Sequence, residues 1–313
     1  MRIAVADIGS NSTRLLVADV DGRGAVTELE RRSEVTRLAA GVEASGRLAD
    51  EAMERVFTAL EAYAGVIAQA GGVDRYVGVM TSASRDAANG EEFAEQIAER
   101  FGIDTRVIEG EFEARLCFLG ATSGRREGEN HPICVLDIGG GSTELIVGRG
   151  RSVDFHVSTQ LGVVRQSERH LHHDPPNAHE LAALDAEARE TIDSAVPARY
   201  RGEAEAMVAV AGTATWMASI DLGLETYDSA RIHGTRISLG RCREIAGMLG
   251  SMSEQERRSV RGLHPDRAPT ILTGAHILCA AMECFGVDQV EVSQHDILYG
   301  VAIYVAGREG REG

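Results

Sequence analysis

The chain contains no lysine; all 32 of its basic residues are arginine. Without lysine the phosphate loop GxxxxGK[ST] cannot be completed, and the dinucleotide fingerprint GxGxxG is absent as well. Beside abundant alanine and glycine, this bias reads as a GC-rich coding composition rather than chemistry. Cysteine is scarce. The five residues Cys117, Cys134, Cys242, Cys279 and Cys284 form no CxxC and are odd in number, which predicts buried thiols in a reducing compartment, the cytoplasm. No apolar run reaches 18 residues, and the opening MRIAVADIGS already reads as a strand, so neither a secretion signal nor a membrane span is expected. Positive charge is in deficit, with a formal net charge of −16. Such a field repels polyanions at long range and argues against nucleic-acid binding. A phosphate-rich substrate stays compatible with it if backbone amides, a few arginines and a divalent cation supply local positive potential.

What the chain does have is a repeat. Residues 7–17 read DIGSNSTRLLV and residues 137–147 read DIGGGSTELIV, and Asp7, Ile8, Gly9, Ser12, Thr13, Leu15 and Val17 match Asp137, Ile138, Gly139, Ser142, Thr143, Leu145 and Val147. In each copy an apolar run precedes the aspartate and alternating apolar residues follow Ser-Thr, the pattern of strand, turn, strand. A chain of 313 residues with 43% hydrophobic content can bury one large core or two moderate ones, and the repeat favours two. Between the copies lie an amphipathic run with Leu48, Met53, Val56, Leu60, Tyr63 and Ile67 near helical spacing, a strand YVGVM ending in TSASRDA, a helix at 91–101, a strand TRVI and a helix beginning near Glu111. This alternation predicts an α/β sheet. The glycine-rich, charged segment 122–132 is the candidate boundary. After the second copy, LDAEARETIDSAV reads as helix, MVAVAGTATWMASI as a strand running into a turn and a helix, and VDQVEVS as a strand.

Two related α/β halves, each opening on an Asp-Gly hairpin, resemble the superfamily of actin, sugar kinases and chaperone ATPases. Within it, DIGSNSTRLLV, IEGEFEARLCFLGA, VLDIGGGSTELIVG, VAVAGTATWMASI, HGTRISL and LHPDRAPTILTGAHIL, in this order from Asp7 to about Gly300, resemble the exopolyphosphatase and guanosine pentaphosphate phosphohydrolase family in its short, two-domain form. The resemblance implies two actin-like domains with a cleft between them, at 1–122 and 123–313, the extreme C-terminal helix being able to pack back on the first. It implies an Mg²⁺-dependent exopolyphosphatase, with Mn²⁺ as an alternative ion, acting on inorganic polyphosphate or guanosine pentaphosphate and compatible with a homodimer. Guanosine pentaphosphate or nucleoside triphosphate hydrolysis is the nearest alternative. A superfamily kinase and an alarmone-binding sensor are the readings from other classes.

The motifs make chemical sense independently of the family. Turns whose amides point inward wrap phosphate oxygens closely only where side chains are absent. Gly139, Gly140, Gly141 and Ser142 supply one such cradle, and Gly9, Ser10, Asn11 and Ser12 a second facing it. Asp7, Asp137 and Glu144 stand beside these turns, where acids would repel phosphate unless they hold Mg²⁺; otherwise the aspartates cap turns and Glu144 faces solvent. Hydrolysis also needs a base. Glu109, Glu111 and Glu113 all lie at a helix start, where acids are expected from the helix dipole alone, and spacing does not choose among them. The resemblance selects Glu113 as the catalytic base and Arg85 as an arginine near the phosphate, against the alternative of a surface pair between Arg85 and Asp86. His170, His172, His173 and His179 fit no zinc spacing. Trp216 and Met217 read as core, and Ala211 stands where the family's GGTAT turn has its first glycine.

Overall fold

A computed structural model describes residues 1–125 and 130–312, with side chains through residue 307. Of the segment 122–132 read as a boundary, residues 126–129 lie outside the described residues. The chain divides into two compact units, Met1–Ser123 with His295–Gly313, and Gly124–Gln294.

The strands of the first unit are β1 (Arg2–Ile8), β2 (Ser12–Val20), β3 (Val26–Val35), β4 (Arg75–Met80) and β5 (Asp104–Val107), lying in the order β3-β2-β1-β4-β5. β1, β2 and β3 are antiparallel in turn, while β1, β4 and β5 run parallel. Successive side chains of a strand point to opposite faces, so β1 sends Ala4, Ala6 and Ile8 into one core and Ile3 and Val5 into another. Helices Asp50–Gln69 and Gly90–Phe101 cover the first face; Gly110–Ala121 and Ile297–Glu312 cover the second. With both faces covered, the strand reads as an almost continuous apolar run. Helices Gly110–Ala121 and Ile297–Glu312 meet backbone to backbone. A Cβ at Gly120 would overlap the carbonyl of Asp296, and one at Gly300 that of Leu116, so only glycine fits at either side of the crossing.

The strands of the second unit are β6 (Ile133–Ile138), β7 (Thr143–Arg149), β8 (Ser152–Thr159), β9 (Ala206–Val210), β10 (Arg236–Ser238) and β11 (Gln289–Val292), in the order β8-β7-β6-β9-β11-β10. Again the first three are antiparallel and the next two run parallel to the opening strand. The plan of the first sheet is thus repeated, with β10 added antiparallel at its edge. Two α/β units of one plan and mixed sheets are what the repeated hairpin predicts. Count of apolar runs alone misses one feature: Pro265–Phe285, at mean hydropathy 1.3, is long and apolar enough to cross a membrane by length and composition. Thr270, Thr273 and His276 interrupt the run. It is 72% buried inside its unit, and Ile271, Leu272, Ala275, Leu278 and Met282 form the centre of the core. None of the five cysteines is in a disulfide, and four of them are buried.

Candidate active site

The two hairpins close alike. The Gly9 N–H donates to the Ser12 carbonyl at 3.0 Å and the Gly139 N–H to the Ser142 carbonyl at 2.9 Å. A Cβ on either glycine would press on that same oxygen at 3.1 Å. In both, the chain that follows the third strand takes up turn carbonyls. Ala39 donates to Ser10 and Thr36 and Arg37 to Asn11 in the first; Val163 donates to Gly139 and Val164 to Gly140 in the second. A trans peptide sets its N–H opposite its C=O, so the amides of Asn11, Ser12, Gly140 and Gly141 point away from the segments that hold those carbonyls. The matched threonines are fully buried: Thr13 Oγ1 lies 3.0 Å from Thr36 Oγ1, and Thr143 Oγ1 donates to the Leu161 carbonyl. In the second unit, a Cβ at Gly162 would overlap the backbone of Gly140 and Gly141. The helix Val163–His170 therefore starts directly on the glycine turn.

Strand register sets the acids. β1 and β2 place Asp7 opposite Arg14; β6 and β7 place Asp137 opposite Glu144. Asp7 is buried, and its Oδ2 accepts from Arg14 Nε at 2.8 Å and Nη2 at 2.5 Å. Burial pushes the Asp7 carboxyl above its ordinary range, against the pull of Arg14. In the second unit Glu144 is buried and accepts from Ser158 Oγ at 2.8 Å, while Asp137 is half-buried. Among the described residues no three His, Cys, Asp or Glu are gathered as a metal cage. Mg²⁺ does not require one, because one or two carboxylates with water and phosphate oxygens complete its shell. Asp137 and Glu144 fit that donor set. Asp7 fits it less well, since one of its oxygens is engaged by Arg14.

The three candidate bases separate by burial. Glu109 stands exposed at the N-cap position of the helix Gly110–Ala121, and Glu111 pairs on the surface with Arg115, both members of that pair more than 60% exposed. Glu113 is 8% exposed. Its Oε2 accepts from Arg85 Nη1 at 2.5 Å, and the same nitrogen donates to the Ile108 carbonyl at 2.9 Å. Arg85 therefore meets Glu113, 28 residues on.

Two glycine hairpins of one geometry on repeated α/β units, with a buried acid following the last strand of the first, agree with a finding from sequence: the profile of the Ppx/GppA phosphatase family matches residues 16–305. The chain belongs to that family. It is 36% identical over 318 residues to exopolyphosphatase 2 of Mycobacterium tuberculosis, covering 98% of this chain and 99% of that one. Exopolyphosphatase 1 of Mycobacterium bovis is 30% identical over 299 residues, covering 93% and 84%. Among solved structures, the Ppx/GppA family member of Aquifex aeolicus superposes with a TM-score of 0.82 at 29% identity over 99% of this chain and 98% of that one.

Several other polar residues of this phosphatase have local structural partners. His173 Nδ1 lies 2.8 Å from Glu180, which closes a capping box with Asn177, and His170 lies 2.7 Å from Glu187. Met217 is core; Trp216 is half-buried and packs against Tyr227 at 4.7 Å between ring centroids. Ala211 adopts φ 61°, in the left-handed region where a Cβ is strained. Sequence reading misses Arg31 and Asp296. Asp296, 3% exposed, accepts from both Arg14 and Arg31, the latter at 3.2 Å. Burial would raise its carboxyl, and the two arginines outweigh burial and hold it below its ordinary range. Arg14 stands 282 positions from this partner, a separation no local pattern can reveal.

Proposed function

We propose that this phosphatase is an Mg²⁺-dependent exopolyphosphatase, releasing orthophosphate from the end of inorganic polyphosphate. The substrate is carried over from the exopolyphosphatases that it resembles along its whole length. The observation that carries the hydrolytic reading is Glu113, a buried acid held in one orientation by Arg85. Its carboxylate orients a water and takes the proton as the water oxygen attacks the terminal phosphorus; the bridging P–O bond breaks in line, and the shortened polyphosphate leaves. Arg85 fixes Glu113 and places a guanidinium where charge develops. The amides of Gly140 and Gly141 and the Ser142 hydroxyl hold phosphate oxygens, as do Ser10, Asn11 and Ser12 in the first unit. Asp137 and Glu144 would hold Mg²⁺, which neutralises phosphate charge when bound; Asp7 would assist. The absence of lysine and the charge of −16 favour short chains over long ones. Thiols outside any disulfide, most of them buried, suit the cytoplasm.

A side-by-side phosphate-release assay with short polyphosphate, long polyphosphate, guanosine pentaphosphate and ATP tests the reading. Short polyphosphate is expected to turn over fastest, without an acceptor, to stop in excess chelator and to resume with Mg²⁺ or Mn²⁺. Faster release from guanosine pentaphosphate would reassign the substrate, and no release without an acceptor would favour a kinase.

A further inference from the structure

We propose that Asp296 is a positioning residue of the phosphatase reaction, acting through Arg14 on Asp7; this rests on the role given to Asp7 above. Each oxygen of its carboxylate has a defined task. Oδ2 accepts from Arg14 Nη1, and Oδ1 accepts from Arg31 Nη2 at 3.2 Å and from the Leu298 N–H at 3.0 Å, at the start of the last helix. Arg14 is thereby clamped between two buried carboxylates, spending Nε and Nη2 on Asp7 and Nη1 on Asp296. A guanidinium is planar and rigid, so fixing one edge fixes the other. Asp296 thus sets the edge that Arg14 presents to Asp7 and confines Asp7 to one oxygen for this contact. The same helix bears on Gly110–Ala121, which carries Glu113, through the Gly120 and Gly300 crossing. Asp296 stands where the phosphate hairpin and the helix of the base share one support.

The far end of this network supplies a control. Arg31 stacks over Tyr299 at 5.7 Å, and Tyr299 donates to Glu28 at 3.1 Å. Tyr299→Phe removes a bond from the same helix without touching Arg14. Asp296→Asn keeps the shape and the helix cap but removes the charge. Asp296→Asn is expected to lower kcat on short polyphosphate roughly 10- to 100-fold, the usual loss when an outer partner of a working ligand is removed, while Tyr299→Phe stays within about twofold. In an Arg14→Gln background Asp296→Asn should do nothing further, because its effect passes through Arg14. Binding of inorganic phosphate, measured in the same proteins, is expected to weaken with Asp296→Asn and not with Tyr299→Phe. Equal activity per folded molecule in Asp296→Asn and Tyr299→Phe, with phosphate binding unchanged, would overturn the proposal. So would full additivity with Arg14→Gln. A wild-type protein inactive on polyphosphate would sink the substrate reading alone, with the phosphate-binding arm still deciding the role of Asp296. If Asp296→Asn fails to fold, Arg14→Lys replaces it; that variant keeps the charge but loses the fork, and is expected to show the same fall in kcat, an unchanged kcat overturning the proposal.

Discussion

The two hairpins are copies in backbone and opposites in charge. Their turns close on the same hydrogen bond and bury the same threonine, yet at one matched position the first has Arg14 and the second Glu144. Because both residues stand in register with the hairpin aspartate, the exchange turns an ion pair into a pair of acids. The two copies share what the backbone needs to make a turn and differ in the side chain set across from the aspartate. Across the strands the first hairpin sets a cation against its aspartate, and the second sets a second carboxylate, the donor chemistry of a cation site.

A second difference between the units is Glu113, the buried acid that follows the last strand of the first. Glu113→Gln keeps size and polarity and loses the base, so kcat on polyphosphate should fall roughly 10² to 10⁴-fold with KM little changed. Glu111→Gln, on the same helix and exposed, should stay near wild type, because a surface pair of that kind contributes about 0.5 kcal/mol or less. Equal small effects from both would return Glu113 to a helix-start acid. The charge contrast itself is tested by Glu144→Gln, which should raise the Mg²⁺ concentration for half-maximal activity roughly 10- to 100-fold; an unchanged metal titration would remove Glu144 from the ion.

A smaller difference lies where the fourth strand of each sheet turns into a helix. In the first unit Thr81 makes this turn at φ −115°, whereas in the second Ala211 makes it at φ 61°. Left-handed backbone costs a residue with a Cβ about 1 to 2 kcal/mol, and glycine returns part of that as unfolded-state entropy. Ala211→Gly should therefore stabilise the protein by about 0.5 to 1 kcal/mol in denaturant titration, and Thr81→Gly should destabilise it. An effect confined to low pH is expected at Glu180. Its hydrogen bond from His173 and those from the backbone of Asn177 and His172 draw its carboxyl down to about 2. A depressed carboxyl stabilises the fold fully above the unfolded value of about 4.3 and loses that contribution as pH falls through about 2. Glu180→Gln should flatten this part of the acid limb of stability, and the titration of Glu180 followed by NMR should show a midpoint well below that of an exposed glutamate.

The hairpins, the alternation of strand and helix and the three acids at 109, 111 and 113 were legible because each is a local pattern: glycine where a turn packs closely, apolar periodicity, charge at a helix start. Strands β3 and β8 were not legible. TELERRSEV and SVDFHVST carry charge or polarity along their length because they border a sheet or leave one face open, and an edge strand of that kind reads as loop. Spacing could not select Glu113 either; the family resemblance singles it out, and its burial against Arg85, a contact across 28 residues, sets it apart from its two neighbours. The ties among Arg14, Arg31 and Asp296 depend on where the last helix lands, which follows from packing rather than from any pattern along the chain.

The first unit is written in two pieces, and that has a consequence for the order in which the protein is made. The face of its sheet formed by Ile3, Val5, Leu16 and Ala18 is covered in part by Ile297, Leu298, Val301 and Ala302. On the ribosome those residues emerge only after the whole second unit, on the order of ten seconds or more later. For that interval the second unit, which is continuous, can fold to completion, while the first presents an apolar sheet face with only the helix Gly110–Ala121 to cover it. The nascent chain thus passes through a stage in which its earliest-made half is its least finished, and the carboxylate of Asp296 arrives last to an arginine that has been waiting for it since the second strand.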